Sequence, residues 1–218
     1  MLRITLQAAD TVSSIFAPVS TPAAREADLA RLVLWLSAAV FVVVAGLIAY
    51  SVIRFRAPAG EQGSEPPQVY GSAQVEAAWT AVPLILVVVL MLATARVIHE
   101  VQAAPAPSNA VEVTVVGRQW WWEIRYPRLG VVTANEIHVP VSDSVIRRPT
   151  LLTLESADVV HSFWVPRVAG KTDMIPNRTN RMWVEPHEAG TYLGQCAEYR
   201  SEERRVGKEC RSRWSPYH

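Results

Sequence analysis

Residues 32–53 read LVLWLSAAVFVVVAGLIAYSVI, 22 consecutive positions without a charged side chain. A hydrocarbon core takes roughly 20 apolar residues as helix, so this run is long enough to cross a bilayer. A helix on the surface of a water-soluble domain keeps a polar face, and this one has none. Further along, residues 77–95 give a second run, AAWTAVPLILVVVLMLATA, 19 long. Trp35, Tyr50 and Trp79 stand near the ends of the two runs, where amphipathic rings favour the membrane–water boundary. Pro83 falls in the first turns of the second run, a place where membrane helices tolerate it. The spacing predicts a two-helix transmembrane hairpin over 32–98, preceded by an external segment, 1–31. Arg3 is followed by no apolar stretch long enough for a signal peptide. Basic residues at Arg25, Arg31, Arg54, Arg56 and Arg96 are too evenly shared to orient the hairpin, which in either orientation puts both termini on one side.

The whole chain has 218 residues, half of them hydrophobic, and a mean hydropathy of +0.13, with the apolar excess concentrated before residue 100. A net charge of +1 gives no bulk attraction for nucleic acid, and no nucleic-acid partner is expected. Two cysteines, Cys196 and Cys210, cannot make a disulfide framework, although counting alone allows one bridge. The stretch 99–109, containing AAPAPSN, reads as a linker. Beyond it come short alternating or β-branched runs at 111–116, 120–126, 136–141, 150–156, 180–186 and 190–196, separated by Pro and Gly. Short strands at this spacing predict an antiparallel sandwich or barrel.

Three features of the β-region bear on chemistry. His161, in ADVVHSFWVP, is expected directly after a strand; a lone histidine there is either a ligand or a structural residue. Cys196, in GQCAEY, is either a thiolate donor or a small core residue. Trp120, Trp121 and Trp122 cannot all face one side of a strand, so at least one is expected at the surface, where an exposed indole suits a partner. Imidazole and thiolate on a rigid β-scaffold are the soft donors that electron-transfer copper takes.

The stretches VEAAWTAVP, GRQWWWEIRYP, ADVVHSFWVPRVAGKTDMIPNRTNR and YLGQCAEY, in that order, resemble subunit II of haem-copper cytochrome c oxidase from about residue 15 to Tyr199. The resemblance implies an all-β cupredoxin-like Greek-key sandwich over 110–199, carried by the hairpin. It implies a binuclear copper centre, CuA, with His161, Cys196 and the Glu198 carbonyl among its ligands. It also implies a magnesium site shared with the catalytic subunit and reached by the Glu198 side chain. Trp120 takes the place of the residue that receives electrons from cytochrome c, and Trp121 stands where the family usually has tyrosine. Glu76 matches a carboxylate at the mouth of a proton path into the catalytic subunit. Asp173 and Arg178 match the region facing the magnesium and haem propionates. No haem is expected on this chain. The implied partners are the haem-copper oxidase catalytic subunit I, cytochrome c and membrane lipid. The implied place is the bacterial inner membrane, with the β-domain and both termini on the periplasmic side.

The pattern breaks at residue 200. The family loop requires cysteine, histidine and methionine where this chain has Arg200, Arg204 and Gly207, and Cys210 stands at the wrong spacing to replace the missing thiolate. Residues 200–218 show no strand or helix logic and resemble the conceptual translation of a sequencing adapter; they are read as an artefactual tail. The copper site is therefore expected to be incomplete. Two other readings stay open: a quinol oxidase subunit II, and a membrane-anchored cupredoxin-fold binding or assembly protein without CuA.

Overall fold

The computed structural model describes residues 14–56, 70–103, 110–143 and 147–198, and the backbone of 211–217. They form two compact units: residues 28–96, and residues up to 27 together with those from 97 onward.

The first unit is helical. Helix α1 runs Thr21–Arg54 and α2 runs Ala73–Gln102, 34 and 30 residues, or about 51 and 45 Å at 1.5 Å per residue. Both extend past the apolar runs: α1 starts early because the flanking stretch AAREADLAR is itself rich in helix formers, and α2 runs on through VIHEVQ. Pro22 sits in the first turn of α1, where its missing N–H is no loss. Glu76 lies exposed in the first turn of α2, where a carboxylate complements the helix dipole. The large apolar side chains point outward: Trp35, Phe41 and Ile53 are each more than 70% exposed. Apolar surface on this scale is a mark of a membrane or partner contact, and both helices are long and apolar enough to cross a membrane.

The second unit is a β-sandwich. Its strands are β1 Val111–Arg118, β2 Trp121–Tyr126, β3 Val131–Ala134, β4 Glu136–Pro140, β5 Thr150–Ser156, β6 His161–Val165, β7 Ala169–Met174, β8 Asn180–Val184, β9 Tyr192–Cys196 and β10 Arg211–Tyr217. One sheet has the order β3-β2-β1-β5-β8 and the other β4-β10-β9-β6-β7. Alternation along β2 turns Trp122, Ile124 and Tyr126 inward, and along β5 it does the same for Leu152 and Leu154. Ile137, Val139 and Phe163 of the facing sheet complete the core.

Two expectations are corrected. The sandwich is not wholly antiparallel: β1 pairs β5 in parallel, as β10 does β4. Parallel pairing needs a crossover, here supplied because the chain visits the opposite sheet through β4 before returning as β5. The tail also contains a strand, Arg211–Tyr217, lying between β4 and β9. It pairs along the facing edges of both, and backbone pairing at a sheet edge asks little of side-chain pattern.

The chain before α1 belongs to this β-unit. Val19 donates its N–H to the Arg167 carbonyl and accepts from the His187 N–H, each at 2.8 Å. Close to it, the Trp183 indole donates to the Val101 carbonyl at 2.7 Å, fastening the last turn of α2 to β8.

Candidate metal centre

His161 opens β6 and Cys196 closes β9. The two strands are antiparallel neighbours with Phe163 opposite Cys196, so His161, two residues from Phe163, lies on the same face as the cysteine. The ladder continues past Cys196 through the Ala197 N–H, which donates to the Ser162 carbonyl at 2.9 Å. Imidazole and thiol lie near enough for each to shift the other's ionisation. Burial opposes ionisation of the thiol, but the histidine and the backbone N–H groups of Ser162 and Glu198 outweigh it and hold Cys196 below the usual thiol range. Burial likewise works against a charged His161, and hydrogen bonds to Cys196 and Asp158 carry its pKa above the ordinary value.

Three neighbours fix the imidazole. The Asp158 carboxylate lies 2.7 Å from Nε2, and it also accepts the N–H groups of Gln119 and Val159. Trp122 meets the ring edge-on at 5.7 Å between centroids. Gly117 gives the third side its room, since a Cβ there would stand 2.7 Å from His161 Cδ2. Gly117→Ala therefore pushes the imidazole or the β1 backbone aside, at a cost of about 1–3 kcal/mol for overpacking. A lowered urea midpoint together with displaced His161 ring resonances is the expected result, and unchanged ring resonances would contradict it.

Glu198 lies beside this pair. The Ser162 hydroxyl bridges it to Asp173, 3.3 Å from Glu198 Oε2 and 2.5 Å from Asp173 Oδ1, and Lys171 pairs with Asp173 at 2.6 Å. The hydrogen bonds of Lys171 and Ser162 hold the Asp173 carboxyl below its usual range. Arg178 sits exposed in the turn after β7, its N–H donating to the Ile175 carbonyl. Trp120 occupies the two-residue turn between β1 and β2 and is 41% exposed, whereas Trp122 is buried. The turn is not remote from the histidine, because the same Asp158 carboxylate holds Gln119 and His161.

Sequence reading identified His161, Cys196, Glu198 and Trp120 but missed Asp158, Gly117 and Ser162. Only Asp158 left a trace, an acid three residues before the histidine in DVVH. One expectation moves: His161 begins a strand instead of following one, because HSFWV is a nearly continuous buried run without alternation.

The donor set does not fit a binuclear centre. Among the described residues no group of three or more His, Cys, Asp or Glu side chains could hold a metal ion. One thiolate and one imidazole meet; a two-metal centre of this kind needs a second bridging sulfur. Positions 200, 204 and 207 lie outside the described residues, and their side chains (Arg, Arg and none) are not soft donors.

Comparison with known proteins gives the family. The sequence model described as "Cytochrome C oxidase subunit II, transmembrane domain" matches residues 9–97, and "Cytochrome C oxidase subunit II, periplasmic domain" matches 129–203. Cytochrome c oxidase subunit 2 of Alkalihalophilus pseudofirmus is 35% identical over 165 residues, 74% of this chain and 46% of that one. Quinol oxidase subunit 2 of Bacillus subtilis is 27% identical over 194 residues, 87% of this chain and 59% of that one. The chain spans about half the length of such curated relatives. Among solved structures, the periplasmic domain of subunit II of cytochrome oxidase from Bradyrhizobium japonicum matches with a TM-score of 0.45 at 23% identity, covering 52% of this chain and 88% of that one. With an apolar helical hairpin, a two-sheet β-domain and a histidine–cysteine pair at the end of adjacent strands, the chain belongs to the cytochrome c oxidase subunit II family.

Proposed function

We propose that this chain is the electron-receiving subunit of a proton-translocating respiratory oxidase. It docks cytochrome c and sits against the haem-copper catalytic subunit I, which reduces oxygen to water. The observation that carries the reading is the linkage of exposed Trp120 to buried His161 through one carboxylate, Asp158. A donor resting on the Trp120 turn is thereby brought close to the His161–Cys196 pair, whose ring and sulfur are already oriented. The apolar hairpin supplies lipid contact and a surface for the catalytic subunit. A soluble donor requires the β-domain and both termini on the periplasmic side of the inner membrane, which puts Glu76 at the cytoplasmic end, at the mouth of a proton path. Glu198 and Asp173 form the face toward a shared magnesium ion.

The family implies copper, which would hold an electron in transit; the donor set here does not complete the family's centre. The steps this chain's own residues carry are docking and orientation. The test is co-expression with the catalytic subunit of the chain as written and of a variant with Arg200→Cys, Arg204→His and Gly207→Met. The chain as written should co-purify yet oxidise no cytochrome c, and the triple variant should restore turnover. Adding Trp120→Ala to it should then lower the bimolecular rate roughly tenfold, about 1.4 kcal/mol of barrier. Failure of both forms to co-purify would sink the reading.

A second reading, a quinol oxidase subunit II, is favoured by the likeness to quinol oxidase subunit 2. It predicts that the assembled complex oxidises a quinol with the chain as written. A membrane-anchored binding or assembly protein predicts neither activity.

A further inference from the structure

We infer that the β2–β3 hairpin is a membrane-seating element, whose tip side chains Leu129, Val131 and Val132 rest in the headgroup layer of the bilayer that α1 and α2 cross. The inference rests on the membrane reading of the helices and on nothing in the oxidase reading. The three side chains are 72, 47 and 62% exposed. No charged residue stands from Leu129 to Asn135, and β3 is the edge strand of its sheet. Turns that face water are ordinarily built from polar residues, and proteins blunt an exposed apolar edge with charge. Neither device is used here. The turn is still well formed: the Leu129 N–H donates to the Tyr126 carbonyl at 3.0 Å, and Gly130 takes the left-handed conformation, φ 63°, that leads into β3. The apolar side chains are thus presented on a fixed frame.

What covers the tip follows from where the hairpin stands. Thr114 of β1 pairs with Arg125 of β2, so Leu129 and Gly130 lie past Val111, at the end of β1 where the chain arrives from α2. Pro127, at the foot of the hairpin, lines one cavity of about 470 Å³ with Gln102 and Trp183, and Gln102 is the last residue of α2. That helix is continuous with the apolar run, which ends at Ala95. Seven residues of helix rise about 10 Å, and the headgroup layer is roughly 5–8 Å deep on each side. The foot of the hairpin therefore stands just above the headgroups, and its apolar tip is within reach of them.

The charges beside the tip fit the same occupant. Arg128 pairs with Glu112 at 2.9 Å, and both side chains are about half exposed. The pair is neutral and can stay in the wet part of the interface while the apolar side chains enter it. Seating is then driven by buried apolar area and needs no anionic lipid.

The experiment uses the full chain in phosphatidylcholine bilayer discs, with Cys196→Ser and Cys210→Ser, carrying a nitroxide at Leu129→Cys, at Val132→Cys or at Ala157→Cys. Ala157 follows β5 at the opposite end of the sheet, where its N–H donates to the Gly117 carbonyl. Power saturation compares collisions of each label with oxygen, which concentrates in lipid, and with a nickel chelate, which stays in water. At 129 and 132 oxygen should be favoured several-fold over its standing at 157, where the chelate should win. Adding Leu129→Asp should return the label at 132 to the chelate. Near-ultraviolet circular dichroism checks each variant against wild type, and the second tip position replaces the first if one misfolds. Water-like collisions at the tip, or an oxygen preference at 132 that survives Leu129→Asp, would overturn the inference. Shielding from both reagents would overturn it too: in the discs alone it makes the tip a contact with a second copy of this chain, and only after addition of the catalytic subunit, a contact with that subunit. A chain that stays in solution without discs or detergent would sink the membrane reading itself, and this inference with it.

Discussion

Replacing Trp122 with alanine is expected to lower the stability of the β-unit by about 3–5 kcal/mol and to loosen His161 in the same step. Trp122 is 1% exposed and the largest fully buried side chain of the sandwich. It stands where the two sheets meet, edge-on to Phe163 at 5.6 Å and to His161 at 5.7 Å, and such aromatic pairs add roughly 0.5–1.5 kcal/mol beyond buried area. Little in the surroundings can collapse into the space, because Ile124, Leu152 and Leu154 are held by their own ladders. Among the described residues the buried indole Nε1 finds no hydrogen-bond partner. An unmet buried donor costs about 1–3 kcal/mol, so Trp122→Phe gives back part of what it loses in area. The two variants should separate clearly: alanine far down, phenylalanine within about 1–2 kcal/mol of wild type. Urea unfolding of the detergent-solubilised chain, followed by near-ultraviolet circular dichroism, reads the difference as a shift in midpoint at constant slope. Equal midpoints for the two variants would mean that Trp122 packs as an ordinary surface aromatic.

Where sequence reading succeeded and failed has a physical pattern. The hairpin was legible because lipid removes the need for a polar face, and a run such as 32–53 has few other solutions. Six strands were legible, and in β2, β4, β5 and β9 one face meets the core and the other does not, which imposes alternation, as along TLLTLES in β5. The strands that escaped lack that contrast. β6 is buried on nearly every residue, β7 carries glycine and charges, and β3 is a short exposed edge. The histidine–cysteine pair was legible because residues with soft donor atoms are few in this chain. The residues that hold His161 were not, since a carboxylate, a glycine and an indole serve many ordinary purposes. Their relation to the ring depends on pairing between β1 and β2 and on the Asp158 turn, which only the folded chain displays.

Removing Arg147 is expected to produce the second-largest effect, and it should be strongest in acid. Glu185 at the end of β8 is 1% exposed, and its carboxylate accepts Arg147 Nε at 2.8 Å and Nη2 at 2.6 Å, and Thr21 Oγ1 at 2.8 Å. Chiefly the Arg147 guanidinium holds the carboxyl below the usual range, against the opposing pull of burial. A carboxyl depressed in the folded state contributes stability that is present above its unfolded value, about 4.5 here, and is lost as pH falls through the folded value. Wild type should therefore keep this contribution at neutral pH and surrender it only well into acid. In Arg147→Ala the buried charge loses its partner and the carboxyl rises, so the loss begins at higher pH. Breaking a fully buried pair costs about 3–5 kcal/mol; the Arg147 side chain is 61% exposed, and water screening brings the expectation to roughly 2 kcal/mol at neutral pH. Glu185→Gln should do the opposite to the acid limb, flattening it, because the group that titrates is gone. Other depressed carboxyls, such as Asp173, titrate alike in all three proteins, so the differences between the acid limbs isolate Glu185. The readout is the unfolding midpoint from pH 3 to 8, and superimposable limbs for wild type and Arg147→Ala would refute the assignment. The consequence reaches past stability, because Thr21 is the first residue of α1 and lies 164 positions from Glu185. With its neighbours Ser20, whose hydroxyl accepts the Glu185 N–H at 2.9 Å, and Val19, it joins the start of the first helix to the β-sandwich. Acid or the loss of Arg147 should therefore expose the segment before α1 to protease before the sandwich itself unfolds.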